Sequence, residues 1–209
     1  MPRQTPQKLI IEAVLDGIDD AENAYERWSD GEWLAYSAEH LISGFVARSI
    51  MEAPGSKFIT IEQSCKAAIK AACGERRGRL AQATRPAGRI DILLWWAQDS
   101  PRAAIEIKHN VYNYEGQCGA DINRIAKLLL MRETTLQFGL FVFYSSADDG
   151  RIKKAEDKLE TRYRSILSRA QSAWGKSLRV EGTKRVHRYG NGAWASACIV
   201  LKPHRGSSR

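Results

Sequence analysis

No apolar run in the chain approaches the ~20 residues needed to span a bilayer. The first eight residues are polar and lead into an amphipathic stretch, not a signal-peptide core. The expected location is therefore the cytoplasm. The four cysteines, Cys65, Cys73, Cys118 and Cys198, form no CxxC pair and no zinc-type spacing, which argues against a structural zinc site. Cys65 and Cys73 lie in an apolar helical pattern and read as small buried thiols in a reducing compartment. The chain also lacks internal repeats and low-complexity tracts, which excludes solenoid and linker architectures.

What is present is an ordinary globular composition. The 209 residues are 44% hydrophobic and 27% charged, enough for one domain with a sizeable core. The net charge of +8 is unevenly spread: residues 1–74 hold 7 basic and 11 acidic side chains, residues 151–209 hold 15 and 4. A polyanion is the natural partner of the basic last quarter. A solvated helix face with a frayed tail over 203–209 accounts for it equally well.

Periodicity predicts helices over 7–28 and 32–51. Residues 57–60 read as a short strand or as the entry to a third helix, which Thr60 and Gln63 open as a capping box and Gly74 closes. Strands over 89–96 and 103–108 form a hairpin about Gln98-Asp99-Ser100-Pro101. A helix over 117–132, a buried strand over 136–144 and a charged helix over 151–174 follow. Strands around Gly190-Asn191-Gly192 occupy 178–201. The expected organisation is an α/β (mixed α+β) fold: an N-terminal helical segment (1–56), a central core (57–150), and a basic C-terminal helix with strands (151–209), packed together as one domain.

The chemistry concentrates in Gly88-Arg89-Ile90-Asp91 and Ile105-Glu106-Ile107-Lys108. Strand side chains alternate between faces, so Glu106 and Lys108 share one face while Ile105 and Ile107 share the other. A hairpin can set Asp91 beside Glu106. Two adjacent carboxylates repel and are costly to bury, and a divalent cation such as Mg²⁺ removes that cost. Lys108 would then orient or help deprotonate the attacking water, or offset charge on a phosphate. The plainer alternative is a surface ion pair on a half-exposed hairpin, with Asp91 a turn or cap residue.

Asp91 followed by Glu106-x-Lys108, each in an apolar strand, resembles the PD-(D/E)xK nuclease superfamily, and the spacing is similar to that of archaeal Holliday-junction resolvases. Ile90 stands where the motif name has proline. The order of elements from Thr60 to about Tyr144 is also that of the superfamily core. The resemblance implies a restriction-endonuclease-like mixed sheet flanked by helices. It further implies Mg²⁺-dependent phosphodiester hydrolysis, in DNA first of all, with Mn²⁺ able to substitute and a homodimer compatible. Asp91 and Glu106 would bind the metal with the Ile107 carbonyl. A further glutamate is expected on the helix before the sheet, Glu62 first and Glu39 second. Gln117 is a candidate for holding a metal-bound water. Arg124 is a candidate phosphate ligand, unless it forms an exposed helix pair with Asp121. Arg89, together with Arg76, Arg77, Arg79 and Arg85, would flank the site, and Arg162 and Arg164 on the basic helix would hold nucleic acid. Trp95 and Trp96 are expected in core and rim packing, with base stacking as their alternative, and His109 is expected to be structural. The other function class is a non-catalytic nucleic-acid-binding protein with a nuclease-like fold.

Overall fold

The computed structural model describes residues 5–55, 57–73, 88–96 and 100–204. Arg76, Arg77, Arg79 and Arg85, the short strand expected near 79–84, the Gly74 cap and the Gln98-Asp99 half of the hairpin turn lie outside them.

The N-terminal helix α1 (Gln7–Trp28) buries the stripe Ile10, Ala13, Val14, Ile18 and Ala21. Gly17 lies on the same side, where an added Cβ would stand 2.5 Å from the Val46 Cα of α2 (Glu39–Glu52). The lack of a side chain thus sets the close packing of the two helices. α2 begins seven residues later than the apolar period suggests. Leu34–Tyr36 is instead a 3-10 turn, tied down at both backbone groups of Leu34. Its N–H donates to the buried Glu22 carboxylate at 2.9 Å, and its carbonyl meets the His109 ring Nε2 at 2.7 Å.

The capping box expected at Thr60 and Gln63 does not form. Both belong to strand β1 (Phe58–Ser64), paired antiparallel to β2 (Arg89–Trp95). Helix α3 (Cys65–Cys73) starts after it, with Ser64 Oγ accepting from the Ala67 N–H at 3.2 Å. Thr60 Oγ1 accepts from the Trp95 indole at 3.0 Å, and Trp95 stacks on Phe58. Pairing along a neighbouring strand outweighs the local signal.

Strand β3 (Pro101–Lys108) runs antiparallel to β2. α4 (Tyr114–Gln117) and α5 (Gly119–Leu129) carry the chain to β4 (Phe138–Asp148), parallel to β3. α5 lies close on the sheet because Gly139 leaves room for Ile125. α6 (Ala155–Trp174) precedes the hairpin of β5 (Leu178–Tyr189) and β6 (Gly192–Pro203), so Pro203 belongs to a strand, and residues 205–209 of the expected tail lie outside the described residues. The result is a six-stranded mixed sheet in the order β1-β2-β3-β4-β6-β5. One face is covered by α1 and α2, the other by α3, α5 and α6. No helix among the described residues is long and apolar enough to cross a membrane.

The charge asymmetry of the sequence is largely answered within the fold. Arg185 of β5 binds Glu12, Asp16 and Asp19 of α1 at 2.6–2.8 Å. Arg188 binds Asp149 and Glu156, Lys184 binds Glu160, and Arg169 binds Glu115.

Glu22 is 3% exposed, and burial pushes its carboxyl up to about 7 despite the Leu34 N–H. A raised acid stabilises the fold in its protonated form. Its contribution is complete below the unfolded value near 4.5 and lost as pH rises through about 7. Glu22→Gln, which keeps an acceptor for Leu34, is expected to raise stability at pH 8 by up to about 3 kcal/mol and to leave it little changed at pH 4. Urea denaturation at the two pH values checks this; equal changes at both would refute it.

Candidate functional site

The alternation of β3 divides its side chains as the sequence requires. Ile105 and Ile107 pack toward α1 and α2, while Ala104 joins Leu93 in the cluster beneath α3 and α5. Glu106 shares the Ala104 face and is only 2% exposed. A surface ion pair is thereby ruled out for Glu106, and Asp91 is mid-strand, not a cap.

Register brings the acids together. The β2–β3 ladder ends at Ile92↔Ile105, and Asp91 and Glu106 are the next residues along the two strands. Between the pairs Ile61↔Ile92 and Gln63↔Ile90, Glu62 falls opposite Asp91 on the other side. Glu62, Asp91 and Glu106 thus form a row across three adjacent strands. Here the Asp91 carboxylate takes the place of a ladder partner, accepting from the Ile107 N–H at 2.6 Å. The N–H and C=O of a strand residue point the same way, so the Ile107 carbonyl also faces the β2 side.

Two cations stand among these acids. Arg124 of α5 donates to Glu106 at 2.6 Å, to Asp121 at 2.7 Å and to the Arg89 carbonyl at 3.0 Å. Lys108 Nζ lies 3.4 Å from Glu39 and 3.5 Å from Asp121. Glu39, at the N-terminal end of α2, also accepts from the His109 N–H at 3.1 Å. Four carboxylates, Glu39, Asp91, Glu106 and Asp121, therefore surround Lys108 and Arg124, and the exposed Arg89 reaches a fifth, Glu62, at 3.8 Å.

The imbalance shows in the protonation. Burial, with Glu39 and Glu62 adding to it, pushes the Asp91 carboxyl up to about 6 against the Ile107 N–H and Lys108. Burial also holds Glu106 well above the ordinary carboxylate range, even with Arg124 beside it. Burial pulls Lys108 down, but Asp121 and Glu39 outweigh it, and the net direction is up. Lys108 is therefore an ammonium ion here and can orient or neutralise an anion. The two buried thiols nearest the cluster, Cys65 and Cys118, are pushed up by desolvation and stay protonated.

Several expected assignments change. Glu62 sits within β1 at φ +55, not at a helix start, and the glutamate on a helix before the sheet is Glu39. Asp121 and Arg124 form a buried pair, not an exposed one, so Arg124 is committed to carboxylates and is not a free phosphate ligand. Gln117 is spent on the loop after β3: its amide oxygen accepts from Tyr112 and Asn113 and its nitrogen donates to the Asn110 carbonyl. Arg162 is anchored to the Ser146 carbonyl and Ser145 Oγ, and Arg164 to Glu160 at 2.5 Å. Two positions apart on a helix, they face different ways. His109 is structural, clamped to Leu34 and stacked by Tyr144. Trp95 is held on Phe58 and Thr60, and Trp96 lies under Arg102. The buried role of Asp121 had a sequence signal: it falls in line with Ile125 and Leu128, at helical steps of four and seven, on the apolar stripe of α5.

The donor set, carboxylates with a peptide carbonyl, is of the kind a hard divalent cation takes, and burial outweighs the charges of Lys108 and Arg124 at Asp91 and Glu106. Among the described residues, however, no group of three or more His, Cys, Asp or Glu is arranged to hold a metal ion. Arg124 occupies the Glu106 carboxylate where such an ion would bind. No protein-family model, no curated protein and no solved structure matches the chain.

Proposed function

We propose that the protein is a divalent-metal-dependent nuclease of the PD-(D/E)xK type, hydrolysing phosphodiester bonds with DNA as substrate. The observation that carries this is the row of Glu62, Asp91 and Glu106 across three strands, with Lys108 charged at its end. Buried acids in excess of their counter-charges cost stability, and a fold retains such an arrangement when the charge serves a ligand. Asp91, Glu106 and the Ile107 carbonyl would hold Mg²⁺. The chemistry such an ion supplies is polarisation of a phosphoryl group and a lowered water pKa. Lys108 would neutralise charge building on the phosphate, and Glu39 would keep the ammonium aimed through their contact and through the His109 N–H.

Incubating the protein with plasmid, branched and single-stranded DNA and with RNA, in Mg²⁺ or EDTA, tests the proposal. Metal-dependent strand loss is the expected result; intact substrates throughout, in Mn²⁺ as well, would reject it. The Arg124–Glu106 contact favours a second reading, a nucleic-acid-binding protein without catalysis, which predicts binding that EDTA leaves unchanged and no cleavage. Within the nuclease reading, Glu39→Gln is expected to lower cleavage more than Glu62→Gln, because Glu39 touches Lys108 while Glu62 faces Arg89. Initial rates of the two variants, compared at equal Mg²⁺, decide the order.

A further inference from the structure

Past Lys108, a cavity of about 570 Å³ opens on the surface, a size usual for small-ligand sites. Three aromatic side chains stand in a lining that is otherwise mostly polar. Trp33 and Tyr36 come from the turn before α2, and Tyr112 from the loop after β3. The Tyr36 ring is 75% exposed and Tyr112 48%, so neither is spent on the core. The Arg162 guanidinium lies 4.6 Å over the Tyr112 ring and is itself fixed by the Ser146 carbonyl at 2.6 Å. This arrangement holds Tyr112 in place and leaves part of its ring open. Asn110 and Ser146 add hydrogen-bonding groups to the lining.

The charge around the cavity selects among ligands. Asp30, Glu32 and Asp148 face Lys158 and Arg162, so the lining carries a net negative charge. A phosphate is repelled from such a space, while an uncharged planar ring with polar edges is accepted. The cavity is also joined to the carboxylate cluster. Asn110 lies two residues after Lys108, at most ~7 Å of extended chain. The Leu34 carbonyl, between Trp33 and Ala35 of the wall, is held by His109.

We infer that this cavity receives one unpaired nucleobase of a single-stranded nucleic acid, stacked on Tyr36 and Tyr112, and thereby places the neighbouring phosphate at Lys108. The second half of the inference rests on the nuclease proposal; the base site does not. A base inside a duplex is stacked and paired and cannot enter without being extruded. The substrate class that fits is therefore single-stranded or locally unpaired nucleic acid. Aromatic platforms of this kind tolerate any base, because every base has a π-face.

Binding is measured in EDTA, so that nothing is cut, by anisotropy of a labelled single-stranded oligonucleotide carrying 2-aminopurine and of a fully paired duplex of the same length. The wild type is expected to bind the single strand more tightly and to quench the 2-aminopurine. Tyr36→Ala and Tyr112→Ala are each expected to weaken single-strand binding ~5- to 150-fold, with quenching lost and duplex binding unchanged. Tyr112→Phe, which keeps the ring, is expected to bind like the wild type. Circular-dichroism melting monitors folding, and the largely exposed Tyr36 supplies a variant that folds if Tyr112→Ala does not. Wild-type affinity in the alanine variants, unchanged 2-aminopurine emission with wild type, or equal loss in Tyr112→Phe would overturn the base site. Single-strand stacking with no Mg²⁺-dependent cleavage would keep the base site and reject the nuclease; cleavage without stacking would do the reverse.

Discussion

Asp91→Asn is expected to lower Mg²⁺-dependent cleavage by at least ~10³-fold while leaving the chain folded. The asparagine oxygen still accepts from the Ile107 N–H, so the local ladder substitute survives, but the charge that would hold a cation is gone. The same substitution carries a signature in the metal-free protein. With its folded value near 6, Asp91 contributes stability that is complete below the unfolded value near 3.8 and lost as pH rises through 6. The variant should lack this loss and be more stable than wild type at pH 7 without metal, by up to about 3 kcal/mol. Lys108→Ala is expected to lose cleavage to a similar degree while binding Mn²⁺ as wild type does. Glu106 calls for Gln and not Ala, because Gln keeps an acceptor for Arg124, which an alanine would leave on Asp121 alone. Initial-rate assays and urea denaturation of each variant check both sides. Full cleavage by Asp91→Asn and Glu106→Gln together would remove these residues from the site.

Arg124→Leu should have the larger effect on stability. Its guanidinium binds two buried carboxylates, Glu106 and Asp121, and its loss leaves a buried Glu106 with no cation in contact. The expected cost in metal-free protein at pH 8 is ~3–5 kcal/mol. Glu106 is already raised, and removing Arg124 raises it further. The protonated form is the one the fold favours, so the variant's deficit should shrink as pH falls and grow as pH rises through that raised value. Metal should then act to different extents on the two proteins. In the wild type, an ion must displace Arg124 from Glu106; in Arg124→Leu, the carboxylate is open. Mn²⁺ should therefore raise the melting temperature of Arg124→Leu more than that of the wild type, with binding worth ~2.7 kcal/mol at a hundredfold excess over Kd. Differential scanning calorimetry across a Mn²⁺ series measures this. An identical shift in both proteins would show that Arg124 and the metal do not compete for Glu106.

Seen together, the two variants describe a site whose charge balance is set by a fixed internal cation. Arg124 satisfies Glu106, and on the proposed reading the same contact would weaken the affinity of that carboxylate for an external ion. Lys108, held between Glu39 and Asp121, remains charged in either state. The site can thus fold without metal and still carry acids that a cation would bind.

The sequence by itself determined the elements whose periodicity is strong and local. α1 spans residues 7–28 as its apolar repeat requires, and the Asp91 and Glu106 strands, the buried β4 and the Gly190-Asn191 turn follow from apolar patterning and turn chemistry. The pairing of Asp91 with Glu106 was legible for the same reason, since strand period and hairpin connection together bring them into adjacent positions. Only the tertiary structure decided the rest. Thr60 to Ser64 carried a helix-start signal, yet the segment pairs with β2, because a strand partner and the Phe58–Trp95 stack outweigh a local cap. Glu62 and Glu39 exchanged roles on that account: one became a strand residue beside Asp91, the other a helix-end ligand of Lys108. Arg124 looked like half of an exposed helical pair because helical spacing gives the side of α5 but not what lies against it. Gly139 lets α5 lie on the sheet, and that packing brings the guanidinium to Glu106. The basic last quarter read equally as a binding face or a solvated one because summed charge ignores position, and the fold places one of its cations, Arg185, against the acids of α1. Contacts between segments far apart in the chain carry no local periodicity, so they become visible only when the sheet brings them together.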